Sequence, residues 1–313
     1  MNLIRALFVP AFVTFAVAVP LACSSKSDPT AQSSCTDLAQ AQCKVMAQCD
    51  PIDFAAFFAN DQSTCVTQGS AACVASNSFN GSGATPATVE ACASALNGSS
   101  CESGTPAACA TPPGTLANGT TCASDAQCAG GECYGVSTTG GCGTCTQKSA
   151  PPTGRCDSDS DCAPSQACIN TACVSLLKAG SACSNTTAQC GANLACTAGD
   201  DGGLSGTCVP LPGAGGACSY ALPCASGLFC SAQSTCAAPH YVALGATCAS
   251  EAGDVCLGGS CVEGTCIAFA GVGGSCASFE SPECAYGLTC QNGTCASQLT
   301  PDKCGAALGE DGG

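Results

Sequence analysis

Residues 154–173 read GRCDSDSDCAPSQACINTAC, four cysteines separated by five, five and four residues, with Asp157, Asp159 and Asp161 alternating inside the first gap. Three chemistries compete for such a stretch: a metal clamp, a redox centre or a covalent staple. Its reading decides the fold, because variants of it recur along the second half of the chain. Repeats open at Cys122, Cys156, Cys183, Cys218, Cys248 and Cys276, at intervals of 27 to 35 residues. Recurrence on that scale marks an array of similar modules.

Composition favours the staple. Of 313 residues 35 are cysteine, there is no Trp, and only 4 Tyr and 10 Phe are present. Large aromatic side chains for an ordinary core are therefore scarce. With 38 Gly and 17 Pro punctuating short segments, the chain divides into small units that burial alone would not hold. Cross-links of about 2–4 kcal/mol each can supply the deficit. Acidic side chains outnumber basic ones 22 to 7, for a net charge of −15. Such a surface repels phosphate backbones and anionic headgroups, so nucleic acid is not an expected partner.

The repeats span 119–146, 154–174, 180–209, 215–237, 245–267 and 273–304. Their cysteines are Cys122, Cys128, Cys133, Cys142 and Cys145; Cys156, Cys162, Cys168 and Cys173; Cys183, Cys190, Cys196 and Cys208; Cys218, Cys224, Cys230 and Cys236; Cys248, Cys256, Cys261 and Cys266; and Cys276, Cys284, Cys290, Cys295 and Cys304. A glycine stands two or three residues before each opening cysteine (Gly119, Gly154, Gly180, Gly216, Gly245, Gly274), and Gly130, Ser165, Asn193, Gly227, Gly258 or Gly287 stands three before the third. Residues able to turn tightly at fixed offsets predict chain reversals beside the half-cystines. CVEGTC at 261–266 and CQNGTC at 290–295 read as hairpins, and Asn170-Thr171 closes the last loop of the second repeat.

A different texture precedes the array. Residues 35–110 hold Cys35, Cys43, Cys49, Cys65, Cys73, Cys92, Cys101 and Cys109 at longer intervals. Cys35, Leu38, Gln42, Val45, Met46 and Cys49 fall near one helical face, and Phe54, Phe57 and Phe58 recur at one-turn spacing. Thr85-Pro86 reads as an N-cap followed by proline at the first helical position. Three or four short helices tied by four disulfides are expected, and since eight cysteines allow 105 pairings no connectivity follows. The expected fold is therefore small and disulfide-rich: an N-terminal helical cysteine-rich block followed by an elongated array of short β-hairpin and loop modules.

Residues 1–22 carry one basic residue, Arg5, then an apolar run and small residues, the layout of a signal peptide. Pro20-Leu21-Ala22-Cys23 resembles a bacterial lipobox, in which Cys23 receives the lipid, although Pro20 replaces the usual Leu and cleavage after Ala18 is the competing reading. Residues 23–34 then form a polar tether, and setting Cys23 aside leaves 34 cysteines, an even number that can pair completely. Export exposes those thiols to an oxidising compartment.

The C-x5-C-x5-C-x4-C pattern, carried best by Cys156, Cys162, Cys168, Cys173 and by Cys218, Cys224, Cys230, Cys236, resembles the Dickkopf N-terminal cysteine-rich region and EB-type modules. The first repeat departs from it through the extra CGTC at 142–145, the third through an eleven-residue gap to Cys208, and the fifth and sixth through wider first gaps. The whole layout is similar to cysteine-rich surface lipoproteins of Gram-negative bacteria. That resemblance implies a cell-surface or outer-membrane location through a lipid anchor, or secretion if Cys23 is not acylated.

No catalytic constellation stands out. Zinc sites favour close C-x2-C pairs with histidine, whereas only Cys142 and Cys145 have that spacing and the single histidine, His240, lies in a linker. The glycines around CGTC and the lack of a βαβ pattern favour structural bridges over a redox pair. Asp157, Asp159 and Asp161 alternate like calcium ligands, but Cys162 and Cys168 stand where an EF-hand needs Gly and Glu. The expected protein is a non-enzymatic monomer without cofactor, binding a protein or glycan at the cell surface or serving adhesion or structure. A secreted protease inhibitor is the alternative, and metal sequestration ranks below it.

Overall fold

The computed structural model describes residues 28–101, 105–135, 142–147, 156, 162, 165–184, 189–197, 206–249, 252–276, 283–291 and 293–297. Cys23, Cys304, Gly154 and the three alternating aspartates lie outside them, as do the signal segment and most of the tether. The fold is small and disulfide-rich, a helical block followed by a string of hairpin units.

Four α-helices build the block: α1 (Ala31–Cys49), α2 (Pro51–Phe58), α3 (Gln62–Asn77) and α4 (Pro86–Asn97). Each begins on a side-chain cap. Thr30 and Ser33 form a reciprocal capping box at α1, as Thr85 and Thr88 do at α4 with Pro86 in the first turn. Asp50 caps α2 and Asp61 caps α3. Four bridges tie the block: Cys35–Cys73, Cys43–Cys65, Cys49–Cys101 and Cys92–Cys109.

The first two bridges form a ladder between antiparallel helices. Cys35 and Cys43 are eight residues apart on α1, Cys65 and Cys73 eight apart on α3. Midway between them Ala39 meets Gly69, where an added Cβ would lie 3.2 Å from that of Ala39. Two rungs and a small-residue crossing thus hold the helix pair with little side-chain volume between. The buried stripe of α1 is accordingly Cys35, Ala39 and Cys43, with Met46 half-buried, while Gln42 is exposed. The face read from the sequence is rotated, since the bridges to α3 fix which side turns inward. Phe54 and Phe58 of α2 complete a core with Cys43 and Cys65, and Met46 and Phe57 pack against it.

The repeats share one plan. In the first, β1 (Thr121–Cys122), β2 (Gly131–Tyr134) and β3 (Gly143–Gln147) form a sheet in the order β1-β3-β2. The second contributes β4 (Gln166–Ile169) and β5 (Ala172–Ser175), the third β6 (Ala182–Cys183), β7 (Leu194–Cys196) and β8 (Gly206–Pro210), and the fourth β9 (Phe229–Cys230) and β10 (Cys236–Ala237). The fifth holds β11 (His240–Val242), β12 (Asp254–Cys256), β13 (Gly259–Val262) and β14 (Thr265–Ala268), the sixth β15 (Leu288–Gln291) and β16 (Thr294–Ser297). In every hairpin the last two cysteines face each other in register: Cys133 with Cys145, Cys168 with Cys173, Cys196 with Cys208, Cys230 with Cys236, Cys261 with Cys266 and Cys290 with Cys295.

These facing cysteines do not bond to each other. The first bonds to the third and the second to the fourth in all six units, as in Cys156–Cys168 with Cys162–Cys173 and Cys248–Cys261 with Cys256–Cys266. Directly opposed residues on a pleated pair project from the same face, so the hairpin offers two adjacent half-cystines and the preceding loop crosses them with two more. In the first repeat Cys145, and not Cys142, takes the fourth place.

Backbone pairing repeats equally faithfully. The residue before the first cysteine bridges the one before the fourth, as in Ala217 with Thr235, Thr247 with Thr265 and Ser275 with Thr294. The N–H three residues before the first cysteine donates to the carbonyl of the fourth, at 2.7–2.8 Å, from Gly119, Gly180, Gly215, Gly245 and Gly273. All five have positive φ, which only glycine adopts without cost. In the fourth and sixth units this residue is Gly215 or Gly273, one place before the expected Gly216 and Gly274. Asn193, Gly227, Gly258 and Gly287 likewise have positive φ before the third cysteine, but Gly130 and Ser165 do not. Gly130 instead stands where a Cβ would fall 2.3 Å from the Thr146 carbonyl oxygen.

Linkers are part of the array. Leu116, Leu177 and Ala270 each form a parallel bridge to the second cysteine of the next unit, and β11 does the same through Val242 and Cys256. Phe229 of the fourth repeat lies over Gly253 of the fifth, where a Cβ would be 2.0 Å from the ring.

The array also touches the helical block. Phe57 stacks on Phe269 with centroids 5.3 Å apart, and Tyr286 meets Phe58 edge-on at 5.1 Å. Ser226 Oγ donates to the Cys49 carbonyl at 2.5 Å, and the Gly258 N–H donates to Ala55 at 3.2 Å. At the other end, Gln127 Nε2 donates to the Asn80 carbonyl at 2.8 Å. The fourth and fifth units therefore meet directly, and the first, fourth, fifth and sixth also rest on the helices.

Candidate binding cleft

Every cysteine among the described residues lies in a disulfide. Three sulfurs of one repeat, such as Cys122, Cys128 and Cys133 or Cys248, Cys256 and Cys266, lie within 4.8 Å of one another. They are the two bridges of a unit side by side, and a bridged sulfur lacks the thiolate charge that binds metal or attacks a carbonyl. Cys145 bonds to Cys128, and Cys142 is bridged as well. The CGTC pair is thus shared between two staples. Disulfides in this number belong to an oxidising compartment, which marks the chain as an exported protein. No helix among the described residues is long and apolar enough to cross a membrane.

His240 does more than the linker reading assigned to it. It opens β11, which pairs in parallel with β12, and its Nδ1 lies 2.9 Å from Oδ1 of Asp254. The other carboxylate oxygen accepts the Ala249 N–H at 2.8 Å. The His240 hydrogen bond, followed by that from Ala249, holds the Asp254 carboxyl below the ordinary carboxylate value. The imidazole is 77% exposed, so the pair is a loop clasp open to water. The sequence could not pair these residues, because the segment holding His240 gave no sign of being a strand.

Two depressions mark the helical block. One, of about 710 Å³, lies along α1 and α4 and carries Asp37, Lys44 and Glu90 with several amides. The other is a cleft of about 920 Å³ between the block and the sixth repeat. Its walls come from α1 at Leu38 and Gln42, from α3 at Gln68, Ala72 and Ala75, from Val89 of α4, and from Val272, Tyr286 and Leu288 of the array. Among the described residues no Asp, Glu, Lys, Arg or His lines it. The Oε1 atom of Gln68, on its wall, is buried without a hydrogen-bond donor. Small side chains leave this space open, since Gly287 approaches α3 so closely that a Cβ would lie 3.4 Å from that of Ala72. The run of alanines in α3 was readable in the sequence, but the wall supplied by the sixth repeat was not.

Comparison with protein-family models, with curated proteins and with solved structures gives no match for this chain.

Proposed function

We propose that this is an exported, non-enzymatic protein, anchored through lipid on Cys23, that presents a stapled binding surface at the outside of a cell. The observation that supports this most is the constancy of the frame: all six repeats keep the same two bridges while their loops differ in length. Such a frame holds its shape without a large core and keeps it outside the reducing cytosol. The bridges of the helical block and the six repeats use 32 of the 35 cysteines, leaving Cys23, Cys142 and Cys304, of which Cys142 is bonded as well. Acylation of Cys23 leaves Cys304 to complete an even set.

Intact mass of protein extracted from membranes tests the reading. The expected species begins at an acylated Cys23 and lacks 34 thiol hydrogens relative to the reduced chain. An unacylated chain cut after Ala18, found in the medium, would overturn the anchor. The same purified chain should leave a panel of proteases active; potent inhibition of one would transfer the reading to a secreted inhibitor.

A further inference from the structure

Ligand sites are concave, mostly apolar clefts with a few polar groups, and the cleft between the helical block and the sixth repeat has that character. The cleft between α3 and the sixth repeat has the volume of a small-molecule site, within the range of about 300–1,000 Å³. It lies at a junction of units, where such sites concentrate. Its lining joins alanine, valine, leucine and aromatic carbon to amides at Gln42, Gln68 and Asn77 and hydroxyls at Ser76, Thr88, Thr111 and Tyr286.

Charge decides what fits. The chain carries 22 acidic residues, yet among the described residues neither an acidic nor a basic side chain lines this cleft. An ionised head drawn onto these walls would leave water without a counter-charge, which is unfavourable. An uncharged ligand with a hydroxyl meets no such cost. The buried Gln68 oxygen supplies an acceptor that lacks a donor, and leaving such a group unpaired costs about 1–3 kcal/mol.

We infer that the cleft binds an uncharged single-chain lipid, its acyl chain among the alanines of α3 and the side chains of Val272 and Leu288, its hydroxylated head on the amides of Gln42 and Gln68. This goes beyond the surface-display reading and is independent of it, since it needs neither lipid on Cys23 nor a macromolecular partner.

The test uses the full-length oxidised chain and N-phenyl-1-naphthylamine, an uncharged probe whose emission rises in apolar surroundings. Emission should rise on mixing and fall when monolauroylglycerol is added. Laurate at neutral pH and dodecyltrimethylammonium should compete about tenfold less well or worse, as burial of an unpaired charge requires. Ala75 is an exposed position of α3 on the cleft wall, so Ala75→Trp should obstruct the cleft and weaken probe binding about tenfold or more. Gln48→Trp, beside the other depression, should not. Ala71→Lys, also exposed on the wall, should convert the preference toward laurate by at least about tenfold. Intact mass confirms the full set of bridges in each variant. Absence of probe uptake, equal competition by charged and uncharged chains, or undiminished binding in the bridged Ala75→Trp protein overturns the inference.

Discussion

Removing both bridges of the fifth repeat, with Cys248→Ala, Cys261→Ala, Cys256→Ala and Cys266→Ala together, tests whether staples stand in for a core. The bridges span 13 and 10 residues. Chain-entropy arithmetic assigns loops of those sizes about 2.9 and about 2.7 kcal/mol, roughly 5.6 kcal/mol for the pair. Apart from half-cystines, the buried cluster of this unit contains only Val242, whose burial contributes about 1.5–3 kcal/mol. The larger share is covalent, so the unit should open while the helical block, with its own four bridges, stays folded. Hydrogen exchange read by mass spectrometry is the assay. Amides of β13 and β14 should lose protection, whereas those of α1 and α3 keep it. Full protection of the hairpin in the four-alanine chain would falsify the claim that disulfides, and not burial, hold the repeats. Removing either bridge alone should weaken protection and leave the register intact, because the remaining one still ties the hairpin to its crossing loop.

Phe57→Ala removes the ring stacked on Phe269 and near Tyr286; aromatic pairs contribute about 0.5–1.5 kcal/mol each beyond their buried area, so the fifth and sixth repeats should separate from α2, with a larger radius of gyration by small-angle scattering. Asp61 accepts hydrogen bonds from Ser63 and Thr64, which lower its carboxyl to about 2. Because that value lies below the ordinary one of about 3.9, the cap is fully present above the ordinary range and is lost as pH falls through about 2. Carboxyl NMR titration of Asp61 with an ordinary midpoint would contradict it. Thr171 holds a φ of 66° in the turn between β4 and β5, where a β-branched residue is unfavourable by about 1–2 kcal/mol; Thr171→Gly should slow exchange of the flanking amides, and unchanged or faster exchange would count against strain at that position.

The parts of this fold that local rules govern were readable. Thr85 and Pro86 start α4 as their chemistry demands, Phe54, Phe57 and Phe58 lie on one helix, and Glu263-Gly264 and Asn170-Thr171 close hairpins with positive φ at both residues. Pairing of cysteines was not readable, since spacing along the chain says nothing of which loop crosses a hairpin. Nor was the orientation of α1, which the rungs to α3 set, or the clasp between His240 and Asp254. The cleft was least accessible of all. One wall comes from α3 and the other from Tyr286 and its neighbours, and no periodicity links segments so distant in the chain.

The frame and the loops obey different constraints. In the first and third repeats eleven residues separate the two cysteines that face each other across the hairpin, against four in the second, fifth and sixth, yet Cys133 still faces Cys145 and Cys196 still faces Cys208. Extra residues enter between half-cystines without altering the bridges, because lengthening a closed loop adds little entropy cost. Variation is thereby confined to loops that leave the frame intact, such as the Cys218–Cys224 segment, where Tyr220 is fully exposed on a turn closed by Ser219 and Leu222. The cleft is different in kind. Its walls belong to two units held by Phe57, Phe58, Phe269 and Tyr286, so its width depends on a noncovalent aromatic contact, while the walls themselves are fixed by disulfides. A ligand that bridges both walls should therefore strengthen the association of the sixth repeat with α3 without changing protection inside either unit.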